Sequence, residues 1–203
     1  MNNRLLSQPP GHVRIIGGRW RGRKLAVLAE QGLRPTSHRL RETLFNWLAP
    51  MLPGAAVLDC FAGSGALGIE ALSRDASYLR LLEHNPLVAQ QLGQVLQRLE
   101  SQAATVLTVD SRDYLAQPAD RRFNIVFLDP PFYQALPQAL FIQLERYHWL
   151  AEEAWIYLET EADWLPATLP NHWYLHRETR SRQVAYRLYQ RQPITAHPCN
   201  KGI

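Results

Sequence analysis

Ala55-Ala56-Val57-Leu58-Asp59-Cys60-Phe61-Ala62-Gly63-Ser64-Gly65-Ala66-Leu67-Gly68 decides how this chain folds. Residues 55–60 are an apolar run of strand length, the glycines force a tight turn, and a helix opens after Gly65. Strand, glycine turn and helix are the first half of a parallel βαβ unit. The alternation then repeats. Tyr78 to Glu83 reads as a strand, and Asn85 caps a helix with Pro86 at its first position, running to about Glu100. Thr105 to Val109 is a strand, followed by a short helix near Arg112 to Ala116. Phe123 to Leu128 is a strand, Gln138 to Arg146 a helix, and Trp155 to Glu159 a strand. Trp173 to His176 and Gln183 to Tyr189 form a closing hairpin, which adds an antiparallel edge. The expected class is α/β: a mostly parallel sheet with helices on both faces.

Asp129-Pro130-Pro131-Phe132 follows the strand at Phe123–Leu128. Neither proline can donate to a ladder, so the strand stops abruptly. A carboxylate, a rigid backbone and an aromatic ring are then presented together at a strand's carboxyl end, where open α/β sheets bind ligands. These groups suit a planar base bearing an amine.

Gly63-x-Gly65-x-x-Gly68 also fits a dinucleotide fingerprint, with Glu83 as the ribose acid. Three details favour a different ligand. Asp59 stands directly before the loop, where it would repel a pyrophosphate and attract an amine or a cation. Asp110-Ser111 ends the third strand, within reach of an adenine edge. A hydride-transfer enzyme has no evident use for Asp129-Pro130-Pro131-Phe132. S-adenosylmethionine, with an amino group, a ribose diol, an adenine and a sulfonium, fits an acid at the end of each successive strand.

The 203 residues carry 46% hydrophobic and 20% charged side chains, enough for one large domain with a full core. The formal net charge of +4 is unevenly placed. Residues 1–50 hold nine Lys/Arg and two acids, net +7, and the rest is net −3. A basic arm on an acidic body points to a polyanionic partner. Within the arm, Val13–Ile16 reads as a strand, Gly17-Gly18 as a turn, and Arg19 to Leu28 as an extended segment whose Arg19, Arg21 and Arg23 share one side. Trp20 is either a stacking residue or a core anchor. Arg34-Pro35-Thr36-Ser37 opens a helix with Leu40, Leu44, Trp47 and Leu48 on one stripe, capped by Thr36 or Ser37 and ended by Pro50. The other tryptophans, Trp47, Trp149, Trp155, Trp164 and Trp173, read as packing. No run is long and apolar enough for a membrane span or signal peptide, and Cys60 and Cys199 do not suggest a disulfide, so a cytoplasmic location is expected. The histidines show no metal-ligand spacing, and no metal is expected. The divisions are a disordered 1–11, a basic RNA-binding extension over 12–50, a catalytic domain over 51–191 and a disordered tail over 192–203.

Asp59-x-Phe61-x-Gly63-x-Gly65, Glu83 after the second strand and Asp129-Pro130-Pro131-Phe132 after the fourth resemble the class I methyltransferases that modify exocyclic amines of nucleic-acid bases. Arg14 to Leu25, Arg34-Pro35-Thr36, and Arg41-Glu42-Thr43-Leu44-Phe45-Asn46-Trp47-Leu48 are similar to the opening motifs of the RsmD family, bacterial 16S rRNA guanine-N2 methyltransferases. The resemblance runs from about residue 12 to about 190. It implies a Rossmann-like, seven-stranded sheet, S-adenosylmethionine as methyl donor, and 16S rRNA or the small ribosomal subunit as partner. Asp59, Phe61, Gly63, Gly65, Glu83, Asp110 and Ser111 would hold the cofactor. Asp129 and the Pro130 carbonyl would accept the N2–H groups of a splayed-out guanine, freeing the nitrogen lone pair, while Phe132 stacks on the base. An ionised Asp only accepts, which matches the adjacent N1–H and N2–H groups of guanine better than adenine. Arg14, Arg19, Arg21, Arg23, Lys24, Arg34 and Arg39 would grip phosphates. The alternatives are an adenine-N6 methyltransferase and a catalytically silent RNA-binding assembly factor. The chain departs from the family pattern at Arg180-Ser181-Arg182-Gln183-Val184, which lacks a glycine before Gln183, and in the helix after Asn85, which lacks an asparagine near its end.

Overall fold

The computed structural model describes residues 11–27, 38–132 and 136–193. A two-stranded antiparallel hairpin, β1 (Gly11–Arg14) and β2 (Lys24–Val27), precedes a seven-stranded sheet. The sheet strands are β3 (Ala56–Asp59), β4 (Tyr78–Glu83), β5 (Ala104–Thr108), β6 (Phe123–Leu128), β7 (Leu150–Glu161), β8 (Trp173–Arg180) and β9 (Val184–Arg191). Between them run α1 (His38–Leu48), α2 (Ala66–Ser73), α3 (Pro86–Arg98), α4 (Ser111–Leu115) and α5 (Leu136–Arg146). The order across the sheet is β5-β4-β3-β6-β7-β9-β8, with the first five parallel and the last two antiparallel. The chain leaves β3 toward β4 and β5, then crosses to β6 on the other side. The crevice beyond the carboxyl ends of β3 and β6 is therefore the switch point at which such sheets bind ligands.

The strands form where the apolar runs fall because both faces are covered. Val57, Leu58, Ile125, Val126, Phe127 and Leu128 are all fully buried, as expected for central parallel strands. On one face Phe45 of α1 meets Phe127 edge-on at 6.2 Å, and Phe127 meets Tyr157 in the same way at 6.2 Å. On the other, Phe141, Trp149, Trp173 and Tyr189 pack with Phe123. Trp149 and Trp173 satisfy their indole N–H groups on the Leu115 carbonyl at 3.1 Å and Glu145 at 2.7 Å. Asn85 caps α3 by accepting from Leu87 N and Val88 N.

The basic arm shares the core of the sheet: Val13, Ile15, Trp20, Leu25, Leu44, Phe45 and Leu48 belong to the same apolar cluster as Val57 and Phe127. Trp20 is a core anchor, only 7% exposed, with the Arg19 guanidinium 4.2 Å over its ring. The docking point is Glu70 of α2. Its buried carboxylate accepts from Ile16 N at 2.7 Å, Gly17 N at 2.8 Å and Arg74 Nε at 2.7 Å, and lies 4.0 Å from the buried Arg41. Arg41, counted with the basic arm, thus serves the fold. It donates to the Arg14 carbonyl at 3.0 Å, and burial holds its proton affinity below that of an ordinary arginine.

Several sequence expectations are corrected. Arg19 to Arg23 is not extended. Residues 17–22 are turns, closed by Ile15 N to Arg23 O at 2.9 Å and Gly22 N to Ile15 O at 2.9 Å, so the alternation that would put Arg19, Arg21 and Arg23 on one side is lost. Gly18 and Gly22 make that turn possible with φ of +74° and +86°. Gly11 belongs to β1 and not to the terminal segment. Pro50 does not end the helix sharply, because a 3-10 turn, Ala49–Met51, continues it. Phe45, and not Trp47, centres the buried face of α1. β7 begins five residues earlier than expected, with a register shift against β6 between Phe123 and Ile125, and β8 runs on to Arg180. In place of the missing glycine, Ser181 closes the β8–β9 turn: its N–H donates to the Val184 carbonyl at 2.8 Å and its hydroxyl accepts from Val184 N at 3.2 Å. Arg34, the Thr36 or Ser37 cap, residues 1–10 and residues 194–203 lie outside the described residues.

Glu70→Ala would strand Arg41 and two backbone N–H groups. It should cost about 3–5 kcal/mol, the range for breaking a buried ion pair. Urea unfolding measures this, and a loss under about 1 kcal/mol would show that Glu70 does not anchor the arm.

Candidate active site

Five acids stand at the carboxyl ends of five neighbouring strands: Asp110 after β5, Glu83 in β4, Asp59 in β3, Asp129 after β6 and Glu159 in β7. The pairing of Leu128 with Leu158 sets Asp129 beside Glu159, and that of Asp59 with Phe127 sets Asp59 on the other flank.

Asp59 and Glu83 build the glycine loop. Asp59 is 2% exposed; its Oδ2 accepts from Gly68 N at 3.0 Å and its Oδ1 from Phe61 N at 3.4 Å. Glu83 Oε2 accepts from Gly63 N at 2.9 Å and Oε1 from Asn85 N at 2.9 Å. Gly63 and Gly65 adopt φ of +48° and +74°, the left-handed region that favours glycine. A Cβ on Gly65 would lie 2.7 Å from Ile69 Cδ1, and one on Gly68 would lie 2.7 Å from Leu81 Cδ2. The loop is therefore fixed from below by packing and from the sides by two carboxylates. Phe61 is half-buried beside it. Asp110 caps α4 by accepting from Arg112 N at 2.8 Å, and the Arg112 side chain holds its carboxyl below the usual range. The Ser111 hydroxyl donates to the Cys60 carbonyl, tying α4 to the loop.

Asp129 differs from these. Burial pushes its carboxyl well above the ordinary range, the negative charges of Glu159 and Asp59 add to the effect, and no hydrogen bond from a described residue offsets them. Burial also raises Asp59, to about 7, against the opposing bonds from Gly68 and Phe61. Pro130 is buried, Pro131 exposed, and Phe132 half-buried against the core. An under-satisfied carboxylate in a crevice of repelling carboxylates suits a donor or a cation.

Sequence reasoning missed two members of this site. Glu159 is 5% exposed, and Tyr157 donates its hydroxyl to Glu159 Oε2 at 3.3 Å. The signal is present in the sequence, since Glu159 closes the strand read at Trp155–Glu159 just as Glu83 closes its own.

The structure separates the expected RNA-binding residues. Arg14, Arg19, Arg21, Arg23, Lys24 and Arg39 are exposed. Arg19 N donates to the carbonyl of Ser73, the last residue of α2, and Arg23 Nη1 to that of Arg98, the last residue of α3. Both helices run back from the carboxyl ends of the strands, so the Gly17–Arg23 turn lies at the opposite end from Asp129. Arg39 lies at the head of α1, whose far end leads through Leu52–Gly54 into the start of β3, so Arg39 stands at the end of the sheet that bears Asp129.

Among the described residues, no helix is long and apolar enough to cross a membrane, and no group of three or more His, Cys, Asp or Glu is placed to hold a metal ion.

Residues 13–190 match the family model described as conserved hypothetical protein 95. "Ribosomal RNA small subunit methyltransferase D" of Escherichia coli (strain K12) is 53% identical over 182 residues, covering 90% of this chain and 91% of the relative. The protein of the same name from Haemophilus influenzae is 49% identical over 183 residues, covering 89% and 94%. The solved structure of Escherichia coli yhhF is 54% identical with a TM-score of 0.84, covering 90% of this chain and 99% of that one. The Synechocystis magnesium protoporphyrin IX methyltransferase with bound S-adenosylmethionine shares the fold, at 18% identity and a TM-score of 0.58, covering 76% of this chain and 79% of that one. Motifs, strand order and a match over nearly the whole length agree: the chain belongs to the RsmD family.

Proposed function

We propose that this protein transfers a methyl group from S-adenosylmethionine to the exocyclic N2 of a guanine in small-subunit ribosomal RNA. The observation that carries the reading is Asp129, a carboxylate at the switch point of the sheet with no hydrogen-bond partner among the described residues. The cofactor supplies, when bound, an electrophilic methyl on a positively charged sulfur. The residues fit such a group, because burial raises the proton affinity of Asp59 and Asp129 in the crevice and neither has an ion-pair partner among the described residues. Glu83 has lone pairs left for the ribose hydroxyls beyond those used by Gly63 and Asn85. Asp110 and Ser111 stand where the adenine edge would lie, and Asp59, Phe61, Gly63 and Gly65 shape the loop beneath the amino-acid end.

Asp129 and the Pro130 carbonyl accept hydrogen bonds from the two N2–H groups. This pulls the nitrogen out of conjugation and turns its lone pair toward the methyl. The rigid Pro130-Pro131 pair holds both acceptors in place, so catalysis is by positioning and electrostatics. Asp129 is also the first acceptor for the proton that N2 must lose. Phe132 stacks on the base, worth about 1–3 kcal/mol. Arg39 meets phosphate at the catalytic end, as would Arg34 from its segment. Arg14, Lys24 and the Arg19–Arg23 turn meet a substrate large enough to reach across the arm, as a folded rRNA segment is.

Asp129→Ala should lower the single-turnover rate at saturating S-adenosylmethionine by a factor on the order of a hundred. Methylation at near wild-type rate would remove Asp129 from this role. In calorimetry S-adenosylmethionine and its demethylated product should bind and NAD should not; tight NAD binding with neither of the others would overturn the reading. Because Asp59 is neutral below about 7 and anionic above it, affinity for the cationic cofactor should rise as pH increases through that value. The demethylated product carries the same α-ammonium group and should gain as well, and an affinity that does not change with pH across this range for either ligand would contradict the electrostatic account.

A further inference from the structure

Residues 51–203 are net −3, but this conceals a second basic locus. Residues 173–191 alone hold five Arg and one Glu, a net of +4 within a stretch that is otherwise net −7. Where that charge sits follows from strand register. β9 runs antiparallel to β7, with Val184 opposite Glu161 and Tyr186 opposite Glu159. The β8–β9 turn therefore lies beyond the carboxyl ends of the parallel strands, on the rim that carries Asp129 and Glu159. Thr179 pairs with Tyr186 and Arg180 with Ala185, so Arg180 is at the level of the site. Three strand spacings, about 14 Å, separate β6 from β8.

We propose that Arg180 and Arg182 form an RNA-phosphate clamp on the catalytic rim, holding the substrate strand that flanks the base at Asp129. This rests on the rRNA methyltransferase reading above. Residues 180–183 are all exposed, and the turn is fixed by the Ser181–Val184 bonds. Arg180 is also held in place from below. The fully buried Arg187 donates to Thr160 Oγ1 at 2.9 Å and to Glu178 Oε2 at 2.8 Å, and the other oxygen of Glu178 accepts from Arg180 Nε. Only Nε of Arg180 is used, so its two terminal nitrogens, a fork matched to phosphate, have no partner among the described residues. Arg182 makes no ion pair among them. A cation pre-placed by a buried network loses less side-chain entropy on binding than a free surface arginine. With Arg39 at the head of α1, standing over β6 through Phe45 and Phe127, the cations flank the Asp129 crevice from two sides.

The test uses the full chain, tritiated S-adenosylmethionine and small ribosomal subunits from cells lacking the protein. Arg180→Gln combined with Arg182→Gln should raise the KM for subunits by about tenfold, with kcat and cofactor affinity near wild type. The dependence of log affinity on log salt should flatten by roughly 0.7–0.9 for each phosphate no longer neutralised. Arg180→Lys with Arg182→Lys should recover only part of the KM, because lysine restores the charge but neither the fork nor the Nε bond to Glu178. An unchanged KM and salt slope in the Gln variant, with wild-type activity present, would overturn the clamp. Absence of transfer by the wild type would instead overturn the reading on which it rests.

Discussion

The site depends on two carboxylates that never leave the protein's own backbone. Asp59 and Glu83 sit at the ends of adjacent strands and take the N–H groups of Gly68, Phe61, Gly63 and Asn85. A loop with left-handed residues at Gly63 and Gly65 has few internal hydrogen bonds of its own, so these acceptors decide its shape. The absence of side chains makes room at Gly65 for Ile69 of α2 and Leu92 of α3, and at Gly68 lets α2 close onto Leu79 and Leu81 of β4. The backbone can then come close to a ligand at the one place where the sheet opens.

That solution has an electrostatic cost, which the proposed function uses. Three buried or half-buried acids, Asp59, Asp129 and Glu159, lie on neighbouring strands with Tyr157 among them; burial first, and then neighbouring negative charge, raises the proton affinity of Asp59, Asp129 and Tyr157. In the free protein that repulsion is met by protons held on these groups. A cationic ligand relieves it, so the cluster favours a sulfonium over a neutral thioether, a preference that aids product release. The arm contributes at a different level: Glu70 and Arg41 bind it into the main core, making the basic surface rigid and continuous with the sheet.

Much of this is legible in the chain. The strands at Tyr78–Glu83 and Phe123–Leu128 fall, to the residue, where the apolar runs predict them, because runs bounded by turn signals leave little choice. Asn85-Pro86 locates the start of α3 for the same reason. The arm is less legible. Arg19 to Arg23 has a strand-like alternation, but the turn is set by distant partners, Ser73 and Glu70, which no local pattern reveals. Arg41 reads as a surface base until α2 supplies its buried counter-charge. Glu159 is visible as a strand end, but only the register against β6 shows that it neighbours Asp129. The rim arginines are hidden by summation, since their charge cancels in the total for residues 51–203.

The central claim is that the acidic crevice delivers a methyl group to guanine N2 in small-subunit rRNA. The most direct measurement is nucleoside mapping of that rRNA from cells lacking the gene, with and without the protein restored in trans. The account predicts loss of one N2-methylguanine, its return with the wild-type protein, and no return with a chain inactivated at Asp129. An unchanged methylguanine pattern, or loss of an N6-methyladenine in its place, would contradict it.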